Sequence, residues 1–348
     1  MLTQRIAALV ASLLSFALAC GTAAAVEYKI VTADAKGTYY AIGQDLAKYV
    51  APDADIELEV LPTDGSAANI KHLRYDPGVK LAIVQADVYQ AFIDRAKAGN
   101  RDAAAMIGAL RVILPLYNTE IHFIARADSP MNYLHDIRDA KINGGLVGSG
   151  AAFITHTLYR MMFGRTIPEG NASFHSNADA LVKLISDKSV DVVVVAAGQP
   201  APLITNMRPE AQKFIKLLKF DPSHASAKLP LTIYTQSVVK AESYPNLLKE
   251  SFTTVAVGAY LVTYNFANPE TAKPLARFAR ALCSNFPTLL AKGHPKWREV
   301  SLSLPRLPAG WTYYSPAAKQ ISACGAPAKP RPRAKTCSAE ERILGLCD

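Results

Sequence analysis

Tyr28-Lys29-Ile30-Val31 followed by the turn Gly37-Thr38-Tyr39-Tyr40, and Lys141-Ile142-Asn143 followed by Gly148-Ser149-Gly150, decide the fold. In each, a short apolar strand runs through a glycine turn into an amphipathic helix. The first turn of such a helix leaves backbone N–H groups without partners at the positive end of its dipole, an arrangement suited to an anion. Two such cradles in separate halves of one chain point to a ligand held between two lobes.

The pattern recurs beyond the turns. Ile42, Leu46, Tyr49 and Val50 fall on one helix face after the first turn, and Ile154, Leu158, Met161 and Met162 repeat the spacing after the second. Ser66 is placed to cap a helix running toward Arg74, and Asn177 to cap another through Ile185. The continuous apolar runs Leu81-Ala82-Ile83-Val84 and Val190-Asp191-Val192-Val193-Val194-Val195 then read as strands covered on both faces of a parallel sheet. This ordered echo predicts two similar α/β lobes, each a mostly parallel sheet flanked by helices and joined by right-handed crossovers. Ligands of open parallel sheets gather at the carboxyl ends of the strands. Gln85-Ala86-Asp87 and Gly198-Gln199-Pro200 leave the sheet there. Ile121 to Arg126 reads as a strand crossing between lobes, Pro230 to Tyr234 as the crossing back, and residues from about Gln236 to Ala323 as largely helical cover for the first lobe.

Arg5 and the apolar run Ile6 to Ala19, ending at Ala23-Ala24-Ala25, have the form of an export leader and are too short for a comfortable membrane span. Ala17-Leu18-Ala19-Cys20 offers the alternative of lipoprotein anchoring through Cys20, but Ala17 is a poor substitute for the usual leucine. The expected division is therefore a signal peptide over 1–25, a first lobe over 26–120 with 236–324, a second lobe over 121–235, and a Pro/Ala-rich basic tail over 325–348. The expected compartment is the periplasm. Export leaves Cys283, Cys324, Cys337 and Cys347, an even count in an oxidising compartment. Proximity along the chain favours Cys283–Cys324 and Cys337–Cys347, with the other two pairings open. The net charge of +9 can attract anions at long range, although Lys329, Arg331, Arg333 and Lys335 place much of it in the tail. No basic run interleaved with aromatics speaks for nucleic acid.

On these residues the chain resembles the TAXI group of TRAP-transporter solute-binding proteins, from about Tyr28 to Ile321. The carriers are Gly37-Thr38-Tyr39-Tyr40, Gly65-Ser66-Ala67-Ala68-Asn69, Val84-Gln85-Ala86-Asp87, Arg126-Ala127-Asp128-Ser129, Gly148-Ser149-Gly150, Tyr244-Pro245 and the apolar stretch Thr253 to Thr263. The resemblance implies a two-lobe type II periplasmic-binding-protein fold with a ligand cleft between the lobes. It also implies a monomeric receptor that delivers a small anionic or zwitterionic solute, a glutamate- or glutamine-like amino acid or an organic acid, to the membrane subunits of a TRAP permease. The ligand residues it implies are Gly37, Thr38, Tyr39, Ser66, Asn69, Gln85, Gly148, Ser149, Gly150, Ala151 and Gln199, with no metal and no cofactor. Backbone N–H groups at Ser149 to Ala151 and the Ser149 hydroxyl suit a carboxylate. Tyr39 suits an apolar wall with one hydroxyl, and the Asn69 and Gln85 amides suit an amide or amino group. The chain departs from the family's pattern at Ala41 (usually proline), Ala151 (usually threonine) and Ser315-Pro316-Ala317-Ala318.

The rival readings are a secreted hydrolase using Ser149 and a receptor that signals its loaded state to a partner. Val147-Gly148-Ser149-Gly150-Ala151 lacks the Gly-x-Ser-x-Gly elbow of a nucleophile, and serine at a helix start is more commonly a cap. The seven histidines form no metal-ligand spacing. Asp34 and Lys36 read as solvated turn residues.

Overall fold

A computed structural model describes residues 25–324. The expected leader (but for Ala25), Cys20, the basic tail and the Cys337–Cys347 pair lie outside the described residues.

The chain forms β1 (Val26–Val31), α1 (Thr38–Tyr49), β2 (Ile56–Leu61), α2 (Ser66–Tyr75), β3 (Val79–Gln85), α3 (Ala86–Lys97), α4 (Arg101–Ile107) and the long β4 (Leu110–Arg126). The second half continues with β5 (Ile142–Asn143), α5 (Gly150–Phe163), β6 (Ala172–Ser173), α6 (Asn177–Ile185), β7 (Val192–Ala197), α7 (Pro202–Thr205), α8 (Pro209–Gln212), β8 (Ile215–Leu217) and β9 (Thr235–Val239). It closes with the long β10 (Phe252–Tyr264), α9 (Pro269–Lys292) and α10 (Ser315–Cys324).

All strands join one open mixed sheet of ten, in the order β2-β1-β3-β10-β4-β7-β5-β6, with β8 beside β4 and β9 beside β10. The outer strands of each half pair in parallel, β2-β1-β3 on one side and β7-β5-β6 on the other. The two long strands pair antiparallel with each other and with β3 and β7. Each half thus has the mostly parallel set of strands expected of a lobe, and β4 and β10, which belong to both halves, make the sheet continuous.

Helices cover both faces. In the first half, one core gathers Ile42, Leu46, Leu275, Phe278 and Trp297, and another gathers Ile70, Leu73, Val88, Tyr89 and Trp311. In the second half, Ile154, Leu158 and Phe123 share one core, and Leu181, Leu184, Val193 and Tyr244 another. Of the residues that the spacing places on the inner faces of α1 and α5, Ile42, Leu46, Val50, Ile154, Leu158 and Met162 are buried, while Tyr49 and Met161 pack half-buried against the same cores.

Three expectations fail here. Pro230 to Tyr234 is not a crossing strand: Pro230 opens a short 3₁₀ turn, and Tyr234 then leads into β9. The crossing back is made by β10. Residues from Gln236 onward are therefore not largely helical at first, and Val239, Tyr244, Val255 and Val257 pack with the second-half cores, whereas Ala259 and Leu261 pack with the first. Thirdly, the helix caps sit one residue early, at Gly65 and Ser176 rather than at Ser66 and Asn177.

The halves meet at a buried carboxylate. Glu120, midway along β4, stands between Ala197 of β7 and Ala256 of β10. Lys296, from the segment after α9, donates to Glu120 Oε1 at 2.7 Å, to Glu299 Oε2 at 2.7 Å and to the Asn118 carbonyl at 2.9 Å. The Lys296 side chain is fully buried and that of Glu120 is 3 % exposed. The other Glu120 oxygen accepts the Gln199 N–H at 3.1 Å, just past β7. Asp45 on α1 holds the same C-terminal segment by accepting the Trp297 indole N–H and the His294 N–H.

α9 and α10 are joined by a Cys283–Cys324 disulfide, a sequence separation of 41. In the chain-entropy view a loop of that length contributes roughly 2–4 kcal/mol. The double variant Cys283→Ser/Cys324→Ser is expected to lose about that much in urea unfolding. Lys296→Met strands Glu120 as a buried, unpaired charge and is expected to cost roughly 3–5 kcal/mol. The paired variant Lys296→Met/Glu120→Gln is expected to recover part of it, measured in the same way.

Candidate functional site

Four helices begin at one place. Gly37, in extended backbone, starts α1 without a side-chain cap. Gly65 starts α2 at φ 116°, a region that glycine enters readily and that L side chains rarely adopt. Ser149 starts α5 and accepts the Ala152 N–H at 3.1 Å. Ser176 starts α6 and accepts the Asp179 N–H at 3.2 Å. Past each cap, the N–H groups of Thr38 and Tyr39, Ser66 and Ala67, Gly150 and Ala151, and Asn177 and Ala178 have no acceptor among the described residues.

All eight of these residues except Ala67 line a single cavity of about 580 Å³. Two of the helix starts come from each half of the sheet. Gly37, Gly65, Ser66, Gln85, Ser149 and Gly150 make polar or backbone walls, while Leu146, Val195, Pro202 and Leu203 make apolar ones. Its charged side chains are Asp34, Lys36 and Asp64, all exposed at the mouth. Asp34 accepts the Lys36 N–H at 2.8 Å, the turn expected of this pair.

Across the cavity the halves touch. The Thr38 hydroxyl donates to the Gly198 carbonyl at 3.3 Å. A side chain at Gly65 would place its Cβ 3.3 Å from the Gly150 nitrogen. One at Gly150 would fall inside the Gln85 amide, so glycine is required for this approach. Gln85 is buried, its N–H donates to the Ser66 hydroxyl at 3.0 Å, and its side-chain oxygen has no partner. The Asn177 side-chain oxygen is likewise buried without a partner.

The sequence-predicted residues separate into two groups. Gly37, Thr38, Tyr39, Ser66, Gln85, Ser149, Gly150 and Ala151 all line the cavity. Asn69, Gln199 and Gly148 do not. The Asn69 amide is wholly engaged within the first half, donating to the Thr32 carbonyl and to the Ile83 carbonyl at 2.7 Å and accepting from the Thr63 hydroxyl at 2.6 Å. Gln199 is engaged at the crossover, donating to the Val238 carbonyl at 2.7 Å and accepting the Lys240 N–H at 2.8 Å. Gly148 belongs to the turn leading into α5 but is not part of the wall. Tyr39 lines the cavity with its hydroxyl shared inward with Thr119 at 3.4 Å, and burial raises its pKa. Asn177, Leu146, Pro202 and Leu203 were not read as wall residues. The echo between the halves was the available signal for Asn177, which opens α6 as Ser66 opens α2.

The Ser149 hydroxyl serves as a cap, and no histidine lines the cavity. His122 is buried elsewhere, bonded through Nε2 to the Tyr244 hydroxyl at 2.8 Å, and burial lowers its pKa to about 4. Among the described residues, no group of three His, Cys, Asp or Glu side chains could hold a metal. No helix among them is long and apolar enough to cross a membrane.

Behind the cavity, Asp87 on α3 accepts the Tyr234 hydroxyl at 3.2 Å and the Val88 N–H at 2.8 Å, bridging α3 to the segment before β9. Burial pushes its pKa up to about 7.

The family profile of the NMT1-like family matches residues 30–305. Among solved structures, XAC2383 from Xanthomonas citri, bound to ATP, is 12% identical, with 86% of this chain and 98% of that one covered at a TM-score of 0.48. The periplasmic binding protein BugD is 13% identical, with 86% and 93% covered at a TM-score of 0.49. A histidine kinase sensor domain with similarity to periplasmic binding proteins is 13% identical, with 79% and 98% covered at 0.48. These likenesses concern the fold and nothing finer.

A carboxyl whose pKa rises on folding binds its proton more tightly in the folded state than in the unfolded state. Asp87 is therefore neutral and without penalty below about pH 4, and its contribution turns unfavourable as pH rises toward its folded value. Asp87→Asn keeps an oxygen for the Val88 N–H and turns the second bond round, its Nδ2 donating to the Tyr234 oxygen, without the titration. The wild type is expected to lose stability relative to Asp87→Asn between about pH 4 and pH 7, read as the difference of two urea-midpoint profiles.

Proposed function

The chain belongs to the NMT1-like family, and from that premise we propose that it is an extracytoplasmic receptor which closes around a small carboxylate-bearing solute. Under this reading the carboxylate sits among the starts of α1, α2, α5 and α6, with the mouth facing solvent beside Asp34, Lys36 and Asp64. The two halves, each with its own pair of helix starts, act as the two lobes and β4 and β10 as the hinge strands. The site is lined by Gly37, Thr38, Tyr39, Ser66, Gln85, Ser149, Gly150 and Ala151, with Asn177 added. The receptor acts as a single chain in the periplasm and hands its solute to a TRAP-type permease, as the resemblance to the TAXI group implies.

One observation carries the reading. Seven backbone N–H groups without an acceptor among the described residues, from the starts of four helices, line one cavity whose only charged side chains are the exposed Asp34, Lys36 and Asp64. Such ends attract anions without a formal positive charge. Binding without chemistry fits the same residues, because the Ser149 hydroxyl has a cap bond and no base beside it.

A thermal-shift screen of mono- and dicarboxylates is expected to identify a ligand that raises the melting temperature by mass action. That ligand is expected to compact the protein in small-angle scattering. Gly150→Asp places a carboxylate where the solute's own would lie and displaces Gln85, so calorimetry is expected to detect no binding. Retained affinity in Gly150→Asp, or unchanged dimensions at saturation, would overturn the assignment.

A further inference from the structure

The cavity wall holds two neutral acceptors, the Gln85 and Asn177 side-chain oxygens, that have no donor among the described residues. Gln85 leaves the end of β3 in the first half, Asn177 opens α6 in the second, and each contributes a buried side-chain carbonyl oxygen without a donor. Gln85 is only 3% exposed, and its oxygen is the atom against which Gly150 must remain side-chain-free. A buried amide oxygen in a site without its own donor is completed by an N–H or O–H of the ligand.

The charge inventory says what kind of donor that is. An ammonium group taken out of water needs a carboxylate or a ring of acceptors around it. The acidic side chains of this wall, Asp34 and Asp64, are both exposed to solvent, where a carboxylate gives a desolvated ammonium little compensation. A neutral N–H asks only for one carbonyl oxygen, which is what Gln85 and Asn177 each offer. Size and polarity agree. A cavity of about 580 Å³ lies within the range that encloses drug-sized ligands, well beyond one free amino acid. Leu146, Val195, Pro202 and Leu203 supply an apolar wall for the remainder.

We propose that the preferred solute is an N-acylated amino acid or a chemical equivalent: a carboxylate whose neighbouring nitrogen is a neutral amide, attached to an apolar body. The carboxylate takes the helix starts, the amide N–H takes the Gln85 or Asn177 oxygen, and the acyl or side-chain carbons take the apolar wall. This inference rests on the receptor reading above and narrows its solute class away from free glutamate and glutamine.

The test uses matched sets that differ only at nitrogen: N-acetyl-leucine, leucine and 4-methylpentanoate, and N-acetylglutamine, glutamine and 4-carbamoylbutanoate. Each is titrated into the full exported chain by calorimetry after a thermal-shift pass that also contains simple mono- and dicarboxylates. The N-acetyl member is expected to bind at least tenfold tighter than both partners in its set. Gln85→Leu, which leaves the backbone bond to Ser66 intact, is expected to erase that advantage, so that within this variant the N-acetyl member and its deamino partner bind with equal affinity. Asn177→Ala, on a partly exposed helix start, provides the second variant. If the free amino acid or the acid lacking the α-nitrogen binds as tightly as the N-acetyl member, the amide proposal is overturned and the receptor reading stands. If no carboxylate of any kind produces a shift or heat at millimolar concentration, the receptor reading falls and takes the proposal with it.

Discussion

A single buried carboxylate organises the crossover. Glu120 has one oxygen on Lys296 and the other on the Gln199 N–H, with the Ser237 hydroxyl donating at 3.4 Å. These partners come from three segments that are remote in sequence: the stretch after α9, the exit of β7, and β9. Desolvating the two charges of such a pair is costly, and their attraction offsets that cost only when geometry and additional hydrogen bonds are complete. They are complete here, because Lys296 finds a second acceptor on Glu299 and a third in the Asn118 carbonyl. A hydrophobic substitute would hold the strands together but would not dictate which segment lies where. The ion pair sets the register of the C-terminal segment against the one place where both halves share strands.

The cavity uses the opposite electrostatic strategy. Its positive potential comes from helix ends, which carry no formal charge and do not titrate. Each end contributes about 0.3–1 kcal/mol to an exposed anion and up to about 2 kcal/mol when partly buried. Four such ends supply a few kcal/mol, whereas micromolar affinity needs about 8 kcal/mol. The difference has to come from water exclusion, from the apolar wall and from the amide groups, all of which act fully only when the halves approach. Thr38 reaching Gly198 and Gln85 resting on Gly150 are contacts of that approached state.

What the sequence revealed was local, and what it concealed was remote. The glycine turns, the buried faces of α1 and α5, and the apolar runs of β3 and β7 are legible because each depends on spacing within a dozen residues. The caps were misplaced by one because φ at Gly65 and the Ser176 side chain, not residue preference alone, decide where a helix begins. β10 was read only as an apolar stretch, since a continuous run such as Val255-Ala256-Val257-Gly258-Ala259-Tyr260-Leu261-Val262 has no period that distinguishes a buried strand from a buried helix. Asn69 looked free because its acceptors, the Thr32 and Ile83 carbonyls, belong to two strands that become its neighbours only in the folded sheet. Lys296 and Glu120 are 176 positions apart, and nothing in either neighbourhood announces the other.

The echo between the halves explains why the site needs both of them. Each half contributes two helix starts and one amide, and neither set encloses a cavity alone. The repeat is exact in its backbone elements but not in its side chains. The first half places its amide at a strand end, buried against Gly150, whereas the second places its amide at a helix start, nearer solvent. Under the proposed function, the shared backbone grammar would recognise what an anion has in common with any other, while the unlike amides would read the rest of the molecule. A ligand can shift the balance between open and closed states only by its difference in affinity for the two. Under the proposed function, the helix starts of α1 and α2 would meet the solute together with those of α5 and α6 only across the closed gap, so nearly all of that difference would arise on closing, making capture and closure one equilibrium.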